Sequence, residues 1–155
     1  MATKKAVSSV GKGEDKGNLM DIVTKKKRSE IMGKIRCVSM VEIRFRKLLW
    51  EKGLRYRINY KLYGRPDICF PKQMVAVFVD GDFWHGRNYP ALLPKTNKKF
   101  WRGKIERTIE RDTEVNAYLT IRGWKVIRIF ESDINKEPGR CIGIVLDGLR
   151  EAVVV

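Results

Sequence analysis

Asp67 and Asp80 bracket the short stretch with the clearest chemical potential. Asp67 follows Pro66 and begins Asp67-Ile68-Cys69-Phe70, while Asp80 ends the apolar run Met74-Val75-Ala76-Val77-Phe78-Val79. If Pro71-Lys72-Gln73 joins two strands as a hairpin, both carboxylates come to one sheet edge. Two close carboxylates repel unless a cation sits between them. A hard divalent ion such as Mg²⁺, with Mn²⁺ as a substitute, takes oxygen ligands and leaves positions for phosphate and water. Each aspartate also has a plainer use, Asp67 capping a turn and Asp80 opening one before Gly81.

The residues after Asp80 add to the case. Asp80-Gly81-Asp82-Phe83-Trp84-His85 leaves the most apolar strand and carries the single histidine of the chain. A histidine beside two acids can take a proton from water or hold a phosphate oxygen, and a surface loop is its alternative setting. Phe83 and Trp84 are adjacent, so in extended chain they point to opposite sides and do not share one core. An exposed aromatic pair suits stacking on bases or wedging between base steps; closing the core under the loop is the other use.

Charge supplies the partner. The 155 residues hold 33 Lys and Arg against 18 Asp and Glu, a formal net charge of +15 with a pI near 10.0. Such an excess implies a polyanion, nucleic acid first and an anionic membrane surface second. Lys25-Lys26-Lys27-Arg28 reads as a phosphate clamp rather than a merely solvated arm, and Lys98, Lys99, Arg102, Lys104, Arg107 and Arg111 form a second basic group. The longest apolar run is far too short to span a bilayer, and no apolar segment follows Met1 as a secretory signal would require. Cys37, Cys69 and Cys141 are odd in number and widely spaced, which suits a reducing compartment. A cytoplasmic, nucleoid-associated protein of a prokaryote-like cell is expected, with no membrane partner.

The elements that must position these residues follow from patterning. Residues 1–20 have little to bury and read as a flexible basic tail; residues 21–155 read as a single domain. Ser39 and Glu42 have capping-box spacing ahead of a helix over about 40–52, with Val41, Phe45, Leu48 and Leu49 on one face. Leu54–Tyr60 alternates as a strand, Asp67–Phe70 is a short strand, and Met74–Val79 is apolar on both faces like a central strand. A helix over about 96–122 carries Trp101, Ile105, Ile109, Val115 and Leu119, with Thr108 and Asp112 near the same stripe. Inward polar residues of that kind are either satisfied locally or serve a site. Trp124–Phe130 is a last strand, and a final helix follows Pro138-Gly139. The order predicts an α/β sandwich around a small mixed sheet flanked by helices.

Several of these stretches together resemble the very-short-patch repair (Vsr) mismatch endonucleases. They are Gly64-Arg65-Pro66-Asp67, Phe78 through His85, Pro94-Lys95-Thr96, Phe100-Trp101, Lys104-Ile105, Glu110-Arg111-Asp112 and Gly123-Trp124-Lys125-Val126, with Arg28-Ser29-Glu30-Ile31-Met32 upstream. The resemblance implies a restriction-endonuclease-like fold and Mg²⁺-dependent nicking of one DNA strand beside a T:G mismatch, the product of 5-methylcytosine deamination. It implies Asp67 and the Val79 backbone carbonyl as metal ligands, His85 as a catalytic histidine and Glu42 as a helix glutamate near the site. Phe83, Trp84 and Met32 match residues that enter the DNA stack. A functional link to a DNA cytosine methyltransferase is also implied.

The departures are specific. The family's type member carries a zinc site of cysteine and histidine, and the matching positions here are Asp82, Arg87, Tyr89 and Ser132. That set offers no thiolate or imidazole, so no zinc is expected. The loop from Gly86 to Thr96 is then expected to be held by packing of Tyr89, Pro90, Leu92 and Leu93. Asp80 stands where the type member has a histidine, and is expected to join the metal and catalytic groups; Thr108 stands where it has an asparagine. Two other functions compete: a nuclease of the same fold with another target, as in site-specific nicking, restriction or branched-DNA cleavage, and a basic DNA-binding module without catalysis.

Overall fold

The run Met74–Val79 has no polar position, and most of it becomes the middle strand of the sheet. The computed structural model describes residues 39–153. Their elements are α1 (Met40–Glu51), β1 (Ile68–Phe70), β2 (Val75–Asp80), α2 (Lys98–Ile121), β3 (Lys125–Phe130), α3 (Glu131–Lys136) and α4 (Pro138–Val153). The sheet order is β1-β2-β3, with β1 antiparallel and β3 parallel to β2. Helices pack on both faces of this small mixed sheet, giving the restriction-endonuclease-like α/β sandwich.

Side-chain alternation divides the sheet into two faces. Val75 and Val77 of β2 and Ile127 and Ile129 of β3 cluster with Phe45 and Leu49 of α1, Ile134 of α3 and Val145 of α4. Ala76 and Phe78 instead meet Val115 and Leu119 of α2. Asp80 is next in the second series, so period 2 delivers a carboxylate to the α2 side at the strand's end. Gly64 lies so close to α2 that an added Cβ would stand 2.3 Å from Val115 Cγ1; its φ of +79° is also one that side chains resist.

Local chemistry sets the element ends. Ser39 is the N-cap of α1, and its hydroxyl accepts from the Val41 N–H at 3.1 Å. The hairpin between β1 and β2 turns at Pro71–Met74, with Ile68 opposite Val77. The expected strand over Leu54–Tyr60 does not form. One bridge, Arg57 to Cys69, is all that pairs, because Asn59 takes a left-handed φ of 54° and ends the extension. Leu54 and Tyr56 still pack on the core, while Ile58 and Tyr60 are exposed. The six-residue helix α3 is an addition to the expected order, placed directly after β3. Among the described residues no helix is long and apolar enough to cross a membrane. Cys69 and Cys141 are buried free thiols, and burial pushes Cys69 up to about 11.

Candidate active site

The two aspartates do meet at one end of the sheet. Asp67 precedes β1, its N–H donates to the Val77 carbonyl at 3.1 Å, and its Oδ2 accepts the Val79 N–H at 2.7 Å. The Asp67 carbonyl in turn accepts from Arg46 Nη2 of α1 at 3.0 Å. Burial is the main force raising the Asp67 carboxyl above its ordinary range, and nearby Asp80 adds to it; the Val79 N–H, Arg46 and His85 pull the other way. Among the described residues no cation forms an ion pair with this carboxyl, and burial outweighs the more distant Arg46.

Asp80 is buried, and both its oxygens accept from Arg128 Nη1 at 2.9 Å. Arg128 is inward-facing on β3. Its Nη2 lies 3.2 Å from Asp112 Oδ1, its Nε donates to Asn116 Oδ1 at 2.9 Å, and its guanidinium lies over the Phe78 ring. Asp112 and Asn116 are one turn apart on α2, so a single helix face receives the arginine. Asp112 Oδ2 also lies 2.5 Å from His85 Nδ1, and Asp80 Oδ1 lies 3.5 Å from that nitrogen. If Nδ1 carries the proton and donates it to Asp112, Nε2 is the basic nitrogen of the neutral ring. The loop bearing His85 lies tightly on α2: at Gly86, with φ +66°, an added Cβ would stand 2.7 Å from Ile109 Cδ1.

Together these residues border a cavity of about 180 Å³ that Asp67, Val79, Asp80, His85, Asp112 and Arg128 line, with Arg111 at its edge. Asp80, His85 and Asp112 offer ligand atoms all within 4.8 Å of one another, a group able to hold a divalent ion. Arg128 already supplies positive charge to both of its carboxylates, however. Asp67 has no such counter-ion, and one of its oxygens lies outside the hydrogen bond to Val79. Within a strand, N–H and C=O of one residue lean toward the same neighbour, so the Val79 carbonyl lies on Asp67's side. Oxygen donors beside a charge-poor carboxylate fit a hard divalent ion.

The other expected residues fall around this centre. Glu42 is buried on α1, ion-paired to Arg46, and close enough to Asp67 for the two charges to raise its carboxyl, with burial the larger cause. It is both a helix-start residue and a neighbour of the site. Phe83 and Trp84 pack edge-on at 5.1 Å and join Trp101, at 5.6 and 5.8 Å from the two rings, and through it Phe100. Lys104 Nζ lies 4.8 Å from the Trp84 ring centroid. Trp84 and Phe100 are exposed, so part of this aromatic group faces solvent. Lys98, Lys99, Arg102, Lys104, Arg107 and Arg111 are all exposed on α2. Lys25, Lys26, Lys27, Arg28 and Met32 lie outside the described residues.

Sequence reasoning flagged Asp112 only as an inward polar residue and missed Arg128. The signal was available: in Val126-Ile127-Arg128-Ile129-Phe130, Arg128 occupies the same face as two half-buried apolar residues, where a charge needs a partner. Thr108 is satisfied locally, its hydroxyl donating to the Lys104 carbonyl at 3.1 Å. Among the described residues there is no zinc-binding motif. The packing expected to hold the loop is incomplete, since Leu92 is 62% exposed, although Leu93 is half-buried near Ile105. Polar ties take a larger part, among them the Tyr89 hydroxyl donating to Glu106.

The family described as DNA mismatch endonuclease Vsr matches residues 20–91. A type II nicking enzyme of Neisseria meningitidis serogroup C is 42% identical over 113 residues, 71% of this chain and 76% of the relative. A second, from N. meningitidis serogroup A, is 38% identical and covers 77% of this chain and 87% of its own length. The DNA mismatch endonuclease Vsr of Escherichia coli K12 is 34% identical over 93 residues, 59% of this chain and 60% of that protein. With a cluster able to hold a divalent ion at the end of its central strand, and relatives matched over most of their length, this chain belongs to the Vsr family of endonucleases.

Proposed function

We propose that the protein is a Mg²⁺-dependent DNA endonuclease that nicks one strand of double-stranded DNA beside a mismatch, with T:G as the preferred one. The observation that carries this reading is the His85–Asp112 contact in the lining of the cavity that Asp67 also borders. Asp67 and the Val79 carbonyl would hold the ion. When bound, Mg²⁺ supplies charge for the scissile phosphate and lowers the pKa of a water. Asp112 orients the His85 ring so that Nε2 can accept a proton from the attacking water. Arg128 neutralises Asp80 and Asp112, which keeps Asp80 in place as a buried support rather than a free ligand. Glu42 stands behind Asp67 and adds negative charge to the ion's surroundings.

Phe83 and Trp84 enter the stack, with Met32 as a further wedge, and unstacking costs least at a mispaired step. The exposed basic residues of α2 and the cluster from Lys25 to Arg28 contact phosphates. A link to a DNA cytosine methyltransferase and a cytoplasmic, nucleoid-associated place go with this function. The test is strand cleavage of a labelled duplex with one T:G mismatch against its T:A control, each with Mg²⁺ and with EDTA. A Mg²⁺-dependent nick in the mismatched duplex alone is expected; no cleavage of any DNA under any divalent metal overturns the nuclease. Several relatives are named type II nicking enzymes; a second reading is site-specific nicking of matched DNA, and equal cleavage of both duplexes would select it.

A further inference from the structure

The segment between β2 and α2 carries Phe83, Trp84 and His85, and side chains on either side of these three tie it to one distant place. Asp82 lies before them and Arg87 after them. Asp82 Oδ2 accepts the Ser132 backbone N–H at 3.1 Å, and Oδ1 accepts the Ser132 hydroxyl at 2.5 Å. Arg87 grips Asp133 with two hydrogen bonds of 2.6 and 2.7 Å, lies 3.6 Å from Asp82 Oδ1, and sits over the Phe130 ring. The Arg87 N–H also donates to the Asp82 carbonyl at 3.0 Å, so the two anchors close a turn around His85.

We propose that Asp82, Arg87, Ser132 and Asp133 form a metal-free polar clasp whose role is to position His85 and the aromatic pair. The physical argument is one of fixed ends. His85 Nδ1 must meet Asp112 on α2, and the contacts that Gly86, the aromatic pair and Tyr89 make with that helix do not tie the segment to β3. A turn anchored at both ends to the start of α3, directly after β3, is indexed to the strand that delivers Arg128 to the same site. A bidentate arginine–carboxylate pair restricts orientation as well as distance. Arg87 holds the Asp133 carboxyl below its usual range, so the pair stays charged well into acid. Asp82, supplying an acceptor to an N–H in the first turn of α3, fixes that helix and the loop in one contact.

Asp82, Arg87, Ser132 and Asp133 are positioning residues, and the inference rests on the nuclease reading only for its catalytic readout. The experiment measures amide hydrogen exchange over residues 81–97 together with single-turnover nicking at saturating DNA. Asp82→Ala and Arg87→Ala are each expected to raise exchange in that segment and slow nicking by about 100-fold, as misplacement of a catalytic group does, with DNA affinity changed less than the rate. Asp82→Asn keeps an acceptor for Ser132 and is expected to recover most of both. Arg87→Asp combined with Asp133→Arg restores the pair reversed and is expected to recover more than either single change. Unchanged exchange and rate in Asp82→Ala and Arg87→Ala overturn the clasp. So does loss of protection in the parent protein on adding a zinc chelator such as phenanthroline, which would show a metal holding the loop. Raised exchange in the variants of a parent that nicks no DNA would leave the clasp in place and remove the nuclease function.

Discussion

The two faces of the sheet are built from the same strands and have opposite chemistry. On the side of α1, α3 and α4, Val75, Val77, Ile127 and Ile129 belong to one apolar cluster. On the α2 side, the apolar series Ala76–Phe78 gives way at the strand end to Asp80, and Arg128 lies beside it. Asp67 joins them from just before the neighbouring strand, and His85 and Asp112 from the following loop and from α2. One face stabilises the fold, and the other spends part of its burial on charge at the carboxyl end of β2. Buried charges are costly unless paired, and here they are paired around a cavity, which marks the end of that face as functional.

The sharpest way to break the comparison is at Asp67. Asp67→Ala is expected to abolish nicking while DNA binding and the fold persist, because the carboxyl is already disfavoured by burial. Retained nicking in the purified variant would sink the assignment of the metal site. Asp112→Asn should come next, slowing nicking by about 10²- to 10⁴-fold by misorienting His85, with circular dichroism unchanged. A wild-type rate in that variant would place the proton acceptor elsewhere.

Stability sharpens the same contrast. Phe45→Ala on the apolar face should cost about 3–5 kcal/mol in denaturant unfolding. Arg128→Met should cost a comparable amount, about 3–5 kcal/mol, although it removes little cavity-filling bulk, because the buried Asp80 loses the guanidinium that both its oxygens accept from. Adding Asp80→Asn to Arg128→Met should recover part of that loss, whereas adding it to Phe45→Ala should not. Equal effects in both backgrounds would mean that Asp80 and Arg128 are not coupled.

The apolar face was legible in the sequence and the polar one only in part, for a physical reason. The pattern at Phe45, Leu49, Val75 and Val77 is periodic, and periodicity is local information. Asp67, Asp80 and His85 were readable because acids and a single histidine cluster around one strand. Arg128 and the Arg87–Asp133 pair join residues far apart in sequence through charges that singly look like solvated surface. Leu54–Tyr60 misled in the opposite direction. Its alternation fits a strand, yet the left-handed turn at Asn59 and the short edge strand β1 leave room for one bridge.

Glu42 gives the smallest expected effect and the most discriminating one, because the two faces predict opposite signs there. It is 7% exposed and lies between the apolar core of α1 and Asp67. Burial, then Asp67, raise its carboxyl above the ordinary value of 4.5, and Arg46 only partly offsets them. The folded state thus holds this proton more tightly than the unfolded chain. The stability that goes with it is fully present below the ordinary carboxylate value and is lost as pH rises through the raised one. Glu42→Gln removes that loss, and also removes the i,i+4 ion pair with Arg46, which only partly offsets it. The variant should therefore be slightly more stable than the parent at pH 8 and no more stable at pH 4, by urea unfolding at both. Nicking should fall in the same variant, since negative charge behind Asp67 is lost. A residue of the apolar face would lose stability without a pH-dependent sign, so a loss of stability at pH 8 would assign Glu42 to the helix start alone.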